Sequence, residues 1–230
     1  LKLLLSTTNA LNKWLKSDLP RCPAKEGQRV GVNFLASDEQ SLCWQLHIID
    51  NAYKSRDKTI IACEANSRFI VFIPVDIKLT LDELATRLQM EWQYSLAETL
   101  QQLRAMSNSK IAMLLSELSE LNMDTHWVKN TDLSISGHIS DAGLWVNQTL
   151  VDGKQEELSS EQALDLAIYL NSQPKQLNKG KDKIIPVKCL LEYCNKQLGA
   201  TCSKAPDPAD NISELPHASN IVYLKLSKPL

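Results

Sequence analysis

The clearest pattern in the chain is a period of two. Leu42, Trp44, Leu46 and Ile48 alternate with Cys43, Gln45, His47 and Ile49, as they do when successive side chains point to opposite faces of a strand. Thr59 to Cys63, rich in β-branched residues, predicts a second strand. Arg68 to Pro74 predicts a third, apolar on both faces through Phe69, Ile70, Val71, Phe72 and Ile73, hence covered on both sides. Short links make the three consecutive antiparallel neighbours, a β-meander. A first hairpin symmetric about Tyr53 sets Cys43 opposite Cys63, Trp44 opposite Ala62 and Leu46 opposite Ile60. Lys2 to Leu5 and Ile221 to Leu226 have strand character but no hairpin partner nearby. Unpaired backbone is costly when buried and adhesive when exposed, so both are expected to join the central sheet.

Elsewhere the period lengthens to that of a helix. Ser6-Thr7-Thr8-Asn9 offers N-caps for a helix over Ala10 to Lys16, with Leu11, Trp14 and Leu15 on one face. Thr80 with Glu83 three residues on is a capping box, and Leu81, Leu84, Leu88, Trp92 and Leu96 keep helical spacing after it. Ser107-Asn108-Ser109 separates this helix from a second over Lys110 to Leu121, giving an αα-hairpin. Ser159 or Ser160 caps a helix carrying Leu164, Leu166, Ala167 and Leu170. Pro186 suits the first turn of a last helix reaching Gln197, closed by Gly199. The stretch from His126 to Leu150 has no dominant period: Leu133 and Ile135 alternate as in a strand that Gly137 ends, and Leu144 to Leu150 fits a short helix or strand. The expected fold class is α+β, an antiparallel meander backed by helices. Its parts are a main domain over 1–153, a helical appendage over 154–200, and a linker with a final strand over 201–230 that returns to the main domain.

Composition narrows the classes without choosing one. A net charge of −2 gives no overall field toward nucleic acid or anionic lipid. The first apolar run, Leu3-Leu4-Leu5, is far shorter than a signal core or a membrane span, so the expected location is the cytoplasm, with no membrane contact. The six cysteines form no Cys-x-x-Cys pair, and no histidine stands at finger spacing from them. Reduced structural thiols are expected, with neither metal nor cofactor.

The sequence contains no glycine-rich nucleotide loop, no Gly-x-Ser-x-Gly and no His-Glu-x-x-His. The densest polar run is His126 to His138. There Asp132, Ser134 and His138 are the catalytic candidates, with Asp132 placed to orient His138 or activate Ser134; the plainer reading is an Asx-type turn at Asn130, Thr131 and Asp132. His47 offers either a metal pair with Cys43 or a strand-face histidine bonded to a neighbour. Lys175, Lys179, Lys181, Lys183 and Lys188 form the one basic stretch, from which Lys179, Lys181 and Lys183 are the nucleic-acid candidates. No aromatic interleaves them, which favours a solvated loop.

The opening strand with its Ser6-Thr7-Thr8-Asn9 cap, Trp44-Gln45-Leu46-His47, Arg68-Phe69-Ile70-Val71-Phe72 and Lys129-Asn130-Thr131-Asp132-Leu133-Ser134 through Gly137 together resemble a family of uncharacterised bacterial proteins of unknown function. The resemblance spans about residues 1–150. It implies an α+β fold and carries no activity with it. The function expected is that of a cytoplasmic binding or interaction protein without catalytic activity, its partner another protein or a second copy. A hydrolase using the 126–138 segment and a nucleic-acid accessory protein using Lys175 to Lys188 are the alternatives.

Overall fold

The computed structural model describes residues 1–23, 27, 32–52, 56–177 and 182–201. Among these, five strands form one sheet: β1 (Lys2–Thr7), β2 (Ser41–Asp50), β3 (Lys58–Glu64), β4 (Ile70–Val75) and β5 (Asp124–Lys129), in the order β4-β3-β2-β1-β5. Two short strands, β6 (Lys175–Leu177) and β7 (Asp182–Ile184), pair as a separate hairpin. The helices are α1 (Asn9–Leu15), α2 (Leu81–Gln102), α3 (Asn108–Glu120), α4 (Leu133–Gly153), α5 (Ser160–Ser172) and α6 (Pro186–Thr201).

The three predicted neighbours are present: β2 pairs antiparallel with β3, and β3 with β4. The meander alone does not describe the sheet, which is mixed. β1 lies between β2 and β5 and runs parallel to both. The first-hairpin register is moved by two residues, so Trp44 faces Glu64, Gln45 faces Cys63 and Leu46 faces Ala62. A shift of two keeps every side chain on its expected face. Cys43 and Cys63 thus share a face, in one apolar cluster, but are not opposite each other, and both are free thiols. The terminal segment Ile221 to Leu226 lies outside the described residues.

Each face of the sheet has its own core. Leu3 and Leu5 of β1, Leu42, Trp44, Leu46 and Ile48 of β2, and Val71 and Ile73 of β4 meet α1, α2, α3 and α6; the Trp44 and Trp92 rings pack at 6.3 Å between centroids. On the other face Cys43, Ile61, Cys63, Ile70 and Phe72 meet α4 and α5. Helices on both faces bury β3 and β4 from both sides, as their continuous apolar runs require. The capping box at Thr80 and Glu83 forms as expected, and a second one joins Ser159 to Gln162.

The 126–150 region departs most from the expected pattern. Asp124–Lys129 is an edge strand, and a 21-residue helix follows it. Ile135, Ile139, Ala142, Val146 and Leu150 form its buried stripe, a helical period that outweighs the local alternation of Leu133 and Ile135. Gly137 therefore lies inside α4 and ends no strand. Gly199, likewise, does not close α6, which runs on to Thr201.

Three side-chain amides stand in for missing backbone partners. Gln45 accepts from Asp132 N (2.6 Å) and donates to Asp132 O (3.3 Å). Asn130 accepts from Asn33 N (2.7 Å) and donates to Asn33 O (2.8 Å). Asn171 accepts from Ile70 N (2.8 Å) and donates to Ile70 O (2.7 Å). Each amide meets both needs of one residue, because its C=O and N–H groups match those of a peptide. Asn171 also closes the outer edge of β4. Pro74, on the same outward alternation as Ile70, has no N–H to offer there.

Candidate functional site

β1 and β5 are adjacent and parallel, yet the helices that follow them pack on opposite faces of the sheet. α1 joins the cluster containing Leu3 and Leu5, whereas α4 joins the one containing Cys43 and Cys63. At such a point the two connections diverge and leave a crevice beyond the carboxyl ends of the strands, where open α/β sheets take their ligands. A crevice of about 240 Å³ opens here. Thr8 and Asn9, Gln45 and His47, and Ser136, Ile139 and Ser140 contribute to its lining.

The crevice walls are built by strand alternation and helix caps. Ser6 of β1 and the extended Thr8 just after it point the same way, as do Gln45 and His47 of β2. Thr8 is the N-cap residue of α1 without a side-chain cap bond; its hydroxyl meets His47 Nδ1 at 2.8 Å instead. Burial lowers the His47 pKa from its ordinary value, so the ring is neutral at pH 7. Of the two readings of His47, the structure shows the histidine bonded to a neighbour. Ser6 Oγ donates to Asn130 O at 3.1 Å, and Gln45 Nε2 donates to Ser136 Oγ at 3.2 Å. Ser6, Thr8, Gln45, Asn130 and Asp132 are all buried. Polar groups concentrated in the interior at one end of a sheet, and satisfied there, fix the geometry of that end. None of the crevice residues carries a formal charge at pH 7.

The catalytic candidates lie beside this crevice. Asp132 is the N-cap of α4: its Oδ1 accepts from Ser134 N (2.8 Å) and Ser134 Oγ (2.7 Å), and its Oδ2 from Leu35 N (2.7 Å). The expected turn is thus a helix cap that also holds the segment containing Leu35. Ser134 in turn accepts from Arg68 Nη2 at 3.2 Å. His138 stands one helical turn after Ser134, on the same side of α4. Burial, then the charges of Arg68 and Lys175, push its pKa down to about 4. The structure therefore brings Asp132 and Ser134 into contact and adds Arg68, which sequence reasoning missed. The sequence places Arg68 at the start of the third strand, which in the structure begins at Ile70, and only its burial reveals its role. Ser136 and Ser140, on the opposite flank of α4 from Ser134 and His138, line the crevice.

Of the nucleic-acid candidates, Lys183 is exposed on β7, opposite Gln176. Lys179 and Lys181 lie outside the described residues. Among the described residues no group of three His, Cys, Asp or Glu side chains is placed to hold a metal, and no helix is long and apolar enough to cross a membrane. A second, wider cleft of about 610 Å³ lies between the 37–40 segment and α6, lined in part by Ser37, Asn66, Tyr193 and Lys196. Beneath it the buried Glu64 carboxylate accepts from Ser37 Oγ, from Asn66 N (3.0 Å), and from Ser67 N (2.6 Å) and Ser67 Oγ (2.5 Å). That carboxylate is saturated by the 66–67 turn together with Ser37, and ties both segments to the sheet. No family model, no curated protein and no solved structure matches this chain.

Proposed function

We propose that the chain is a binding protein without catalytic activity, and that its ligand is a small, uncharged, polar molecule held at the carboxyl ends of β1, β2 and β5. The observation that carries this reading is the switch point itself: adjacent parallel strands send their helices to opposite faces, and the resulting crevice is walled by hydroxyl, amide and neutral imidazole groups. Such a lining recognises hydrogen-bonding edges and leaves a formal charge unpaired, which disfavours ionic ligands. Ile139 supplies an apolar surface on which a flat or puckered ring would rest.

The hydrolase alternative has the Ser134 to Asp132 contact in its favour. Its weakness is that Asp132 already serves three donors as a helix cap, while no hydrogen bond joins His138 to Ser134 among the described residues. The test of the binding reading is ligand-observed saturation-transfer NMR on the full chain with neutral polyols, amides and nucleosides. The same panel is repeated on Ser140→Trp, which fills the crevice from an exposed helix position. At least one class should give a signal that Ser140→Trp abolishes while its melting temperature stays that of the parent. A panel without signals, or signals indifferent to the tryptophan, would overturn the assignment.

A further inference from the structure

The flank of α4 away from the crevice has a different chemistry, centred on Arg68. The residue is only 5% exposed and its backbone sits at φ +60°, in the left-handed region that a side chain with a Cβ adopts at a cost. Its guanidinium donates through Nη1 to Ala65 O and through Nη2 to Ser134 Oγ. Nε has no acceptor, so two of the five N–H donors of this fork are used by the protein. No carboxylate forms an ion pair with it among the described residues. A buried cation in that condition is expensive unless something else supplies the counter-charge.

Two more nitrogen-bearing side chains are brought to the same place by the fold. Ser134 and His138 are one turn apart on α4, and Ser134 is in contact with Arg68. The Asn171 amide clamps the end of α5 to Ile70, two residues from Arg68, so that Lys175, four residues beyond Asn171, emerges on this side. The charges of Arg68 and Lys175 are both felt at His138 and at Cys63. Lys175 is half-buried and makes no ion pair among the described residues either; burial lowers its pKa. The nearby carboxylates are committed to other donors or exposed to solvent. Asp132 is saturated by Ser134 and Leu35. Asp141, one turn beyond His138, is exposed, and its charge is felt at His138 and Lys175 across a solvent-screened distance rather than in an ion pair.

We propose that Arg68, His138 and Lys175 form an oxyanion-binding site, oriented by Ser134, in which a phosphate or carboxylate group supplies the counter-charge that the protein itself withholds from Arg68. The planar fork of the arginine offers paired N–H groups to two oxygens, the lysine offers a point charge, and the neutral imidazole a single N–H. Ser134 occupies an exposed position on α4, between the arginine and solvent. This site does not depend on the crevice, since it is built from the opposite flank of α4.

The test is isothermal titration of the full chain with inorganic phosphate at low ionic strength, with acetate as the carboxylate arm and sodium chloride as the control for screening. Phosphate or acetate should bind saturably, and the tighter of the two identifies the source of the oxyanion. Lys175→Met and His138→Asn should each weaken binding about tenfold, the scale of a charge-assisted hydrogen bond. Arg68→Lys should weaken it further by losing the fork. Because a buried arginine can be needed for folding, the two half-buried positions decide the outcome, after thermal melts show each variant folded. Binding that matches the chloride control, or that both variants leave unchanged, would overturn the site.

Discussion

Replacing Asn171 by alanine removes a single side chain but orphans two backbone groups. The amide is fully buried, and its two hydrogen bonds to Ile70, 2.8 Å and 2.7 Å, meet needs that no neighbouring strand serves, because β4 is an edge of the sheet. Each buried donor or acceptor left unpaired costs about 1–3 kcal/mol, so the variant should lose about 2–6 kcal/mol, a large share of the ~5–15 kcal/mol typical of a folded domain. Urea unfolding followed by tryptophan fluorescence measures it, as a fall in midpoint at unchanged slope. Asn171→Asp refines the test. It keeps an acceptor for Ile70 N–H but sets a second carboxylate oxygen against Ile70 C=O, which raises the folded-state pKa of the new group above its unfolded value. Its deficit relative to the parent should therefore be smallest below the ordinary carboxylate pKa of about 3.9, where the group is protonated in both states, and grow as pH rises through the folded pKa. A loss below about 1 kcal/mol for the alanine variant would refute the reasoning, since it would mean that water serves Ile70 equally well.

Two further outcomes follow from the cores and from α4. Trp44→Ala, which empties the contact with Trp92 in the larger core, should cost about 3–5 kcal/mol, and a urea midpoint shift worth less than about 1 kcal/mol would place that ring at the surface. The His138 pKa is depressed to about 4 in the fold, below its unfolded value. The unfolded state therefore binds the proton first as pH falls from about 6.5 to about 4, and stability drops across that window. His138→Asn should flatten this slope relative to the parent, whereas parallel stability curves in the two proteins would contradict it.

What was legible in the chain was whatever repeats locally. The alternation through Trp44 and Leu46, the β-branched run at Thr59 and the capping box at Thr80 and Glu83 are short-range patterns, and each forms where it is expected. The two-residue register error shows the limit of that reading: strand alternation specifies a face, while the turn chemistry specifies the register. β5 escaped because an edge strand beginning at Asp124 and ending at Lys129 carries charge in place of an apolar alternation. α4 was misread because Gly137, a helix-weakening residue, interrupted a stripe from Ile135 to Leu150 that is regular only over the full helix. The candidate site was half visible. Asp132, Ser134 and His138 announce themselves by residue type, but Arg68 and the amides of Gln45, Asn130 and Asn171 acquire their roles through contacts across 66 to 101 residues of sequence. No local pattern records such pairings.

The interior place of β1, between β2 and β5, has a consequence for how this chain reaches its fold. Its neighbour β2 begins at Ser41 and its neighbour β5 only at Asp124, about 120 residues after Lys2. During synthesis, a strand in which three of six residues are leucine must wait for residues 124–129 to be made before both of its edges are covered. Parallel pairings of long separation close slowly, because the loop entropy is lost before the contacts return it. Until β5 arrives, the apolar strand Lys2–Thr7 presents one open edge beside an already formed hairpin. That half-built sheet is the species in which mispairing and chaperone capture would compete with folding.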